Sequence, residues 1–475
     1  MTTFVSTAIP YVNARPHIGF ALELIQADVI TRWHRLNESD TFFLTGTDEN
    51  ALKNVQVAKQ LGITPQELCD NNAIIFQNLT QALHLSNNRF IRTSELAHHQ
   101  GVTQFWQACK KSDIYLKTYQ GLYCLGCEDF LLEKDMVNGQ CPDHGIRPEL
   151  VEEQNYFFRL SAYQQILDDL ISSNTIKIFP RSRRNEALGF IRQKLQDFSI
   201  SRPVSRTEGW GVPVPGDPSQ TVYVWFDALV NYLTGSGYPT DQNAFDHRWL
   251  KAHKIHAIGK NVLKFHAIYW PALLLSAGLP LPDELVVHGF LTINGQKISK
   301  STGNAIDPLP LIQKYGTDAV RYYLLRVIPS GSDGDFSETT FHERYTVDLS
   351  NGLGNLVHRL ATLCERASFG LATPEKPILF PEVAQALESY QFHEALKYIW
   401  NHIRELNQQI EITRPWDLLK LPDSQILHHH LLQWTNHLRH IASNLFPFLP
   451  ETSCAILAQL DEPAIKSQNP LFPRL

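Results

Sequence analysis

The chain has 475 residues, 43% apolar and 11% aromatic, enough for about three domains with their own cores. Its 42 Lys and Arg against 48 Asp and Glu give a net charge of −6. That balance excludes a disordered polyelectrolyte and a surface coated in basic charge, so any nucleic-acid contact must come from a local patch.

The start, Met1 to Tyr11, lacks the basic and long apolar regions of a secretory signal, and the apolar run around Leu273 to Leu281 is short and broken by Pro. A cytoplasmic chain without a membrane partner is expected. Thr3 to Ile9 predicts a short buried strand, Pro10 to Gly19 a turn-rich loop, and Leu22, Ile25, Val29 and Trp33 one face of a helix. A second strand, Phe42 to Thr45, runs into the polar turn Gly46-Thr47-Asp48-Glu49. Two loops thus fall at carboxyl ends of strands, where open α/β sheets bind ligands.

From about Tyr119 the texture becomes aromatic and Cys-rich, which reads as an insertion, and the run Val222 to Phe226 predicts a strand that resumes the sheet. Strands His256 to Ile258 and Glu284 to His288 follow, separated by a helical stretch from Phe265 to Leu275. After about Asp348 apolar residues recur at helical spacing, as in Leu353, Leu356, Val357 and Leu360. His428, His429 and His430 read as an exposed helical face. The expected fold is an α/β Rossmann-type nucleotide-binding domain (residues 1–117 and 221–325) split by an insertion domain (118–220), then a linker (326–350) and an α-helical bundle (351–475).

Seven Cys at low density fit a reducing compartment. Cys124 and Cys127, then Cys141 and His144, form a C-x2-C, C-x2-H pair that supplies three thiolates and an imidazole. Such a set closes a tetrahedral zinc site with no open position, so one structural zinc per chain is expected. Pro16-His17-Ile18-Gly19 stands between the first strand and the first helix, at a helix N-terminus that attracts phosphate. Lys297-Ile298-Ser299-Lys300-Ser301, between Gly295 and Gly303, places two ammonium groups three residues apart beyond a later strand, a spacing suited to a polyphosphate.

In this order, and on split halves of a Rossmann-type sheet, the two segments resemble the signatures of class I aminoacyl-tRNA synthetases. The resemblance extends through Ala8 to Asn13, Phe42 to Glu49, Val214 to Asp217, Tyr223 to Ala228 and Phe265 to Pro271, and over nearly the whole chain it is to the methionyl-tRNA synthetases. It implies that His17, Lys297 and Lys300 are catalytic, and that Gly19, Phe20, Gly259, Asn261, Ser299 and Ser301 join them around ATP and its Mg²⁺. It also implies an amino-acid pocket of Ile9, Tyr11, Trp225, Ala228, Leu229, Tyr232, Val262 and His266, with Asp48 on the ammonium. Aromatic and aliphatic walls suit a thioether, and a cationic amine in a dry pocket needs a carboxylate. The zinc set matches the knuckle of the family's insertion domain.

In the helical bundle the resemblance places Asn355, Arg359 and Trp416 at anticodon-reading positions. Residues 351 to 475 hold 10 basic and 12 acidic side chains, so recognition there is expected to rest on stacking and base edges more than on bulk charge. Four residues depart from the family pattern. Phe20 replaces a second His of the first signature, Asn50-Ala51 stands for His-Gly, and Asn261 for an Asp that contacts ribose. Losing one preorganised donor costs roughly 3 kcal/mol of transition-state stabilisation, or about a hundredfold in rate.

The implied activity is ATP-dependent activation of methionine and its transfer to methionine tRNA, by an enzyme expected to be a monomer. Two alternatives stay open: an adenylating ligase that passes the acyl group to a small nucleophile, and a weakly catalytic tRNA- or amino-acid-binding regulator. The first predicts adenylation without tRNA charging, the second neither.

Overall fold

The structure, a computed structural model, describes residues 2–124, 129–131, 133, 136–142, 145–298, 305–370, 378–421 and 425–475. The chain runs from β1 (Thr2–Thr7) through a loop into α1 (Ile18–Leu36), then β2 (Asp40–Thr47), β3 (Arg89–Arg92) and α2 (Leu96–Ala108). After an antiparallel region come β4 (Lys177–Phe179), α3 (Val224–Leu229), β5 (His253–Gly259) and β6 (Glu284–His288). The helices α4 (Asn355–Arg366), α5 (Phe392–Thr413) and α6 (Gln425–Leu445) lie in the last third. By contact density the chain divides into two units: residues 1–16, 37–81 and 86–287, and residues 17–36, 82–85 and 288–475.

The first unit is built on a six-stranded sheet in the order β3-β2-β1-β5-β6-β4. The pairs β3/β2, β2/β1, β1/β5 and β6/β4 run parallel. A central parallel strand is covered on both faces and so reads as an apolar run. β1 fits, with Phe4, Val5, Ser6 and Thr7 fully buried. Successive strands are laid on opposite sides of β1, which makes its carboxyl end the topological switch point.

Two details differ from the sequence reading. The run Val222 to Phe226 does not resume the sheet: the strand Asp217–Val222 ends at Val222 and belongs to a small antiparallel sheet, while Val224–Leu229 is helix α3. β-branched and aromatic residues suit any buried segment, and this one is buried as a helix. The span 118–220 also contributes β4 to the edge of the parallel sheet, through the register Leu285 to Ile178.

In the antiparallel region, Ile114–Cys124 pairs with Asp129–Leu131 and with Glu149–Phe158. Cys124 faces Asp129 across the hairpin, and the four residues between them lie outside the described set.

The second unit joins α1 to the helical bundle. The helix α1 buries Leu22, Leu24, Ile25 and Val29 but also Glu23 and Asp28. Burying charge requires partners: Asp28 takes Arg32 and the wholly buried Arg321, each at 2.7 Å, and Glu23 takes Nε2 of His288 at 3.0 Å. Arg321 spends its other donors on the carbonyls of Leu83, Pro447 and Phe448. The helices α4, α5 and α6 bury apolar stripes at i, i+3 and i+4, among them Leu356, Val357 and Leu360. His428 and His429 are exposed on α6, as expected, whereas His430 is half-buried and stacks on Trp434 with ring centroids 5.2 Å apart.

Candidate active site

The loops after β1 and β2 meet at the sheet's carboxyl edge. Tyr11 and Asp48 form a parallel bridge, and the Asp48 N–H donates to the Pro10 carbonyl at 2.9 Å. Asp48 is 2% exposed. Its neighbour Glu49, wholly buried, accepts from Thr47 Oγ1 at 2.8 Å, from Arg92 through Nε at 2.8 Å and Nη2 at 2.9 Å, and from the Ser94 hydroxyl. The Glu49 carbonyl takes Trp210 Nε1 at 2.8 Å and Asn54 Nδ2 at 2.9 Å. A two-toothed Arg–carboxylate pair with this much added bonding leaves the turn little freedom.

The helix α3 carries Trp225, Ala228 and Leu229, and the next short helix, Asn231–Thr234, carries Tyr232. Trp225 stacks on Phe265 with centroids 3.6 Å apart and planes 5° from parallel. Trp225 and Tyr11 both pack on the buried trio Ala51, Tyr223 and Val224. Val262 ends a 3-10 turn after β5 and accepts at its carbonyl from Nδ1 of His266, at 2.9 Å. A carbonyl only accepts, so Nδ1 carries the proton and Nε2 takes the hydroxyl proton of Tyr232 at 2.7 Å. Ile9 is half-buried. The first unit therefore gathers the buried Asp48 and an aromatic cluster at the end of β1.

Burial pushes the pKa of His266 down to about 4. The unfolded chain takes up its proton near pH 6.5, the folded chain only near 4, so this ring stabilises the fold fully above 6.5 and progressively less as pH falls toward 4. The loss is about 3 kcal/mol at its end. In thermal melts at pH 7 and pH 5, His266→Gln is expected to lose less stability between the two than the unaltered chain. An equal loss would refute the assignment.

In the second unit His17 precedes α1. The Gly19 N–H donates to His17 Nδ1 at 3.1 Å, which puts the neutral ring's proton on Nε2, as a donor. A Cβ at Gly19 would sit 3.0 Å from Cε1 and Nδ1 of that ring, so the absence of a side chain there lets the imidazole fold back over the turn. The Ile18 N–H at the helix start donates to the Ile306 carbonyl at 2.9 Å. Lys297 ends a hairpin, Leu291–Ile293 with Gln296–Lys297, whose turn places Asn294 at φ 53° and Gly295 at φ 72°. Asp335 fastens it by accepting from Thr292 Oγ1 and the Gly295 N–H, which lower its pKa. Ser299, Lys300 and Ser301 lie outside the described residues.

A model of the class I tRNA synthetases (M) matches residues 3–147 and 143–361. The chain belongs to the class I methionyl-tRNA synthetase family. It is 42% identical to the methionine–tRNA ligase of Thermosynechococcus vestitus, over 96% of this chain and 89% of that protein, and 41% identical to that of Fusobacterium nucleatum, over 96% and 74%. Mycobacterium tuberculosis methionyl-tRNA synthetase in complex with methionyl-adenylate aligns at a TM-score of 0.92 and 37% identity, over 100% of both chains. The apo form of that protein aligns at 0.85.

The departures from the family's pattern fall in different settings. Asn50 is buried and its amide nitrogen is engaged: Nδ2 donates to Asp227 Oδ2 at 2.7 Å and to the Thr93 carbonyl at 3.0 Å. Ala51 is wholly buried. Asn261, by contrast, is exposed two residues after Gly259, and Phe20 is half-buried in the first turn of α1.

The remaining positions lie away from these loops in sequence. Asn355 is exposed at the start of α4, and Arg359 donates to the Glu411 carboxylate at 3.1 Å and the Asn407 carbonyl at 3.0 Å, near the end of α5. Trp416 follows that end and is half-buried. Cys124 and Cys141 are both buried, whereas Cys127 and His144 lie outside the described residues. Sequence reasoning assigned no part to Phe265, Asp227 or His98. A carboxylate inside the apolar run Val222 to Leu229 is the signal that could have found Asp227.

Proposed function

We propose that the chain is a methionine–tRNA ligase: it activates methionine with ATP and transfers the methionyl group to methionine tRNA. The observation that carries this reading is the full-length similarity, at a TM-score of 0.92, to a methionyl-tRNA synthetase in complex with methionyl-adenylate. A carboxylate oxygen of methionine attacks the α-phosphorus of ATP and the bond to pyrophosphate breaks. The terminal ribose hydroxyl of the tRNA then attacks the acyl carbon and AMP leaves. No covalent enzyme intermediate is needed, so the protein contributes positioning and charge stabilisation.

In the first unit Asp48 pairs with the methionine ammonium, while Ile9, Tyr11, Trp225, Ala228, Leu229, Tyr232, Val262 and His266 enclose the side chain. A neutral His266 held by Tyr232 and Val262 suits an uncharged thioether. Gly259 and Asn261 serve the nucleotide's ribose. In the second unit the Nε2 proton of His17, with Lys297, Lys300 and Mg²⁺, offsets charge on the phosphates, and Gly19, Phe20, Ser299 and Ser301 complete their surroundings. Asn355, Arg359 and Trp416 read the anticodon.

Residues 118–220 act as a connective insertion and 326–350 as a stem-contact linker. One structural zinc is held by Cys124, Cys127, Cys141 and His144. Its fit is supported by two thiols at chain reversals: Cys124 ends a hairpin strand, and the Cys141 N–H and carbonyl pair with Ile146 and Gly145 at 2.8 Å. Metal analysis is expected to find about one zinc per chain and to lose it in Cys124→Ser with Cys141→Ser; near-zero zinc in the unaltered protein would remove the site. No helix among the described residues is long and apolar enough to cross a membrane. A cytoplasmic monomer is the state proposed.

Methionine-dependent pyrophosphate exchange, followed by charging of methionine tRNA, tests the function. Trp416→Ala should keep the exchange near its original rate and weaken charging by about tenfold, since one stacked base is worth roughly 1 to 3 kcal/mol. Exchange without charging in the unaltered chain would favour the small-nucleophile ligase, and absence of both a binder.

A further inference from the structure

Asp227 lies on α3 between Trp225 and Ala228 and is 1% exposed. A carboxylate this deep persists only with donors around it. Its Oδ2 takes Asn50 Nδ2 at 2.7 Å, and its Oδ1 lies 2.9 Å from Nε2 of His98, which is wholly buried on α2. His98 Nδ1 in turn lies 2.8 Å from the hydroxyl of Thr234, in the short helix of Tyr232. Asn50 also holds the Thr93 carbonyl at 3.0 Å, at the end of β3.

These bonds join the turn that carries Asp48 to the helix that carries Trp225. Asn50 is two residues from Asp48, and Ala51, the next residue, is wholly buried against Tyr223 and Val224, where Trp225 and Tyr11 also pack. Any shift of Asn50 therefore moves the Asp48 turn against the aromatic wall. The opposite side of the turn is fixed separately, by the pairing of Glu49 with Arg92.

We infer that the Asn50–Asp227–His98 network is a positioning device that sets the span between the carboxylate of Asp48 and the aromatic wall at Trp225, and thereby the length of amino-acid side chain the pocket accepts. This rests on the proposed methionine pocket. In this arrangement Asn50 and Asp227 act on the substrate through Asp48 and Trp225. Asn50 stands where the family pattern has His, and the network shows what that substitution requires: a side-chain N–H donor to Asp227. Asn meets the requirement at the end of a shorter side chain.

The test uses the full chain and measures pyrophosphate exchange as methionine, ethionine and ATP are varied in turn. Asn50→Ala removes the donor and is expected to raise KM for methionine tenfold or more, leave KM for ATP within twofold, and narrow the preference for methionine over the longer ethionine at least threefold. Asn50→His restores a donor to Asp227 and is expected to bring KM for methionine back within threefold of the original.

A role in folding alone would lower the active fraction, and so kcat, without moving KM or the preference. That result, or an unchanged KM for methionine, overturns the inference. If Asn50→Ala does not fold, Asp227→Asn replaces it in the same measurements and is judged by the same criteria. Direct titration with methionine separates the two readings: binding that Asn50→Ala weakens in a chain without exchange supports the network and refutes the ligase reaction. No methionine binding in the unaltered chain refutes both.

Discussion

Replacing Asp48 by Asn is expected to raise KM for methionine in pyrophosphate exchange by about a hundredfold or more, with KM for ATP little changed. Asp48 is 2% exposed and its backbone is bridged to that of Tyr11. An ammonium brought beside it gives up its water. Removing one partner of such a buried pair costs roughly 3 to 5 kcal/mol, since the other charge is left uncompensated, and every 1.4 kcal/mol is about tenfold in affinity. Asn keeps the shape of the side chain, so the Glu49 contacts to Arg92, Thr47 and Trp210 should survive and the melting temperature should move little. A rise of less than tenfold in KM for methionine would place the ammonium elsewhere.

Phe20→His is expected to act in the opposite direction, raising kcat for exchange by up to about a hundredfold, the worth of one donor aimed at charge that develops in the transition state. Phe20 sits in the first turn of α1, where the helix end already favours anions, and its N–H is committed to the His17 carbonyl at 2.9 Å. Only the ring changes in the substitution. The fold of His17 over Gly19, which a Cβ would crowd at 3.0 Å, should persist. Exchange at saturating methionine and ATP decides the matter. An unchanged or lower kcat would mean that Phe20 belongs to a rebuilt nucleotide site, in which an added polar ring loses contacts and gains no phosphate.

Much of the architecture was legible because it rests on local patterns. The apolar run at β1 and the segment Glu284 to His288 are strands because central parallel strands are buried on both faces, and the face Leu22, Ile25, Val29 and Trp33 is a helix because its period is 3.6. The turn at Asp48 was equally legible, since polar residues directly after an apolar strand mark its carboxyl end. Composition without period misled at Val222 to Phe226. The three-residue strand Lys177–Phe179 left no pattern long enough to see.

By itself, then, the sequence determined the opening strand–helix–strand unit, the strand Glu284 to His288 and the helical last third, with the Cys/His spacing and the types of residue available for phosphate and thioether chemistry. Such information lies in short stretches of chain. Tertiary structure alone decided that Asn50 and Asp227, 177 residues apart, share a hydrogen bond, that Phe265 stacks on Trp225, and that His266 stays neutral between Tyr232 and Val262. Each depends on burial, which no single segment specifies: a buried polar group must find its partner wherever the fold brings one, and only the packed chain shows which residue that is.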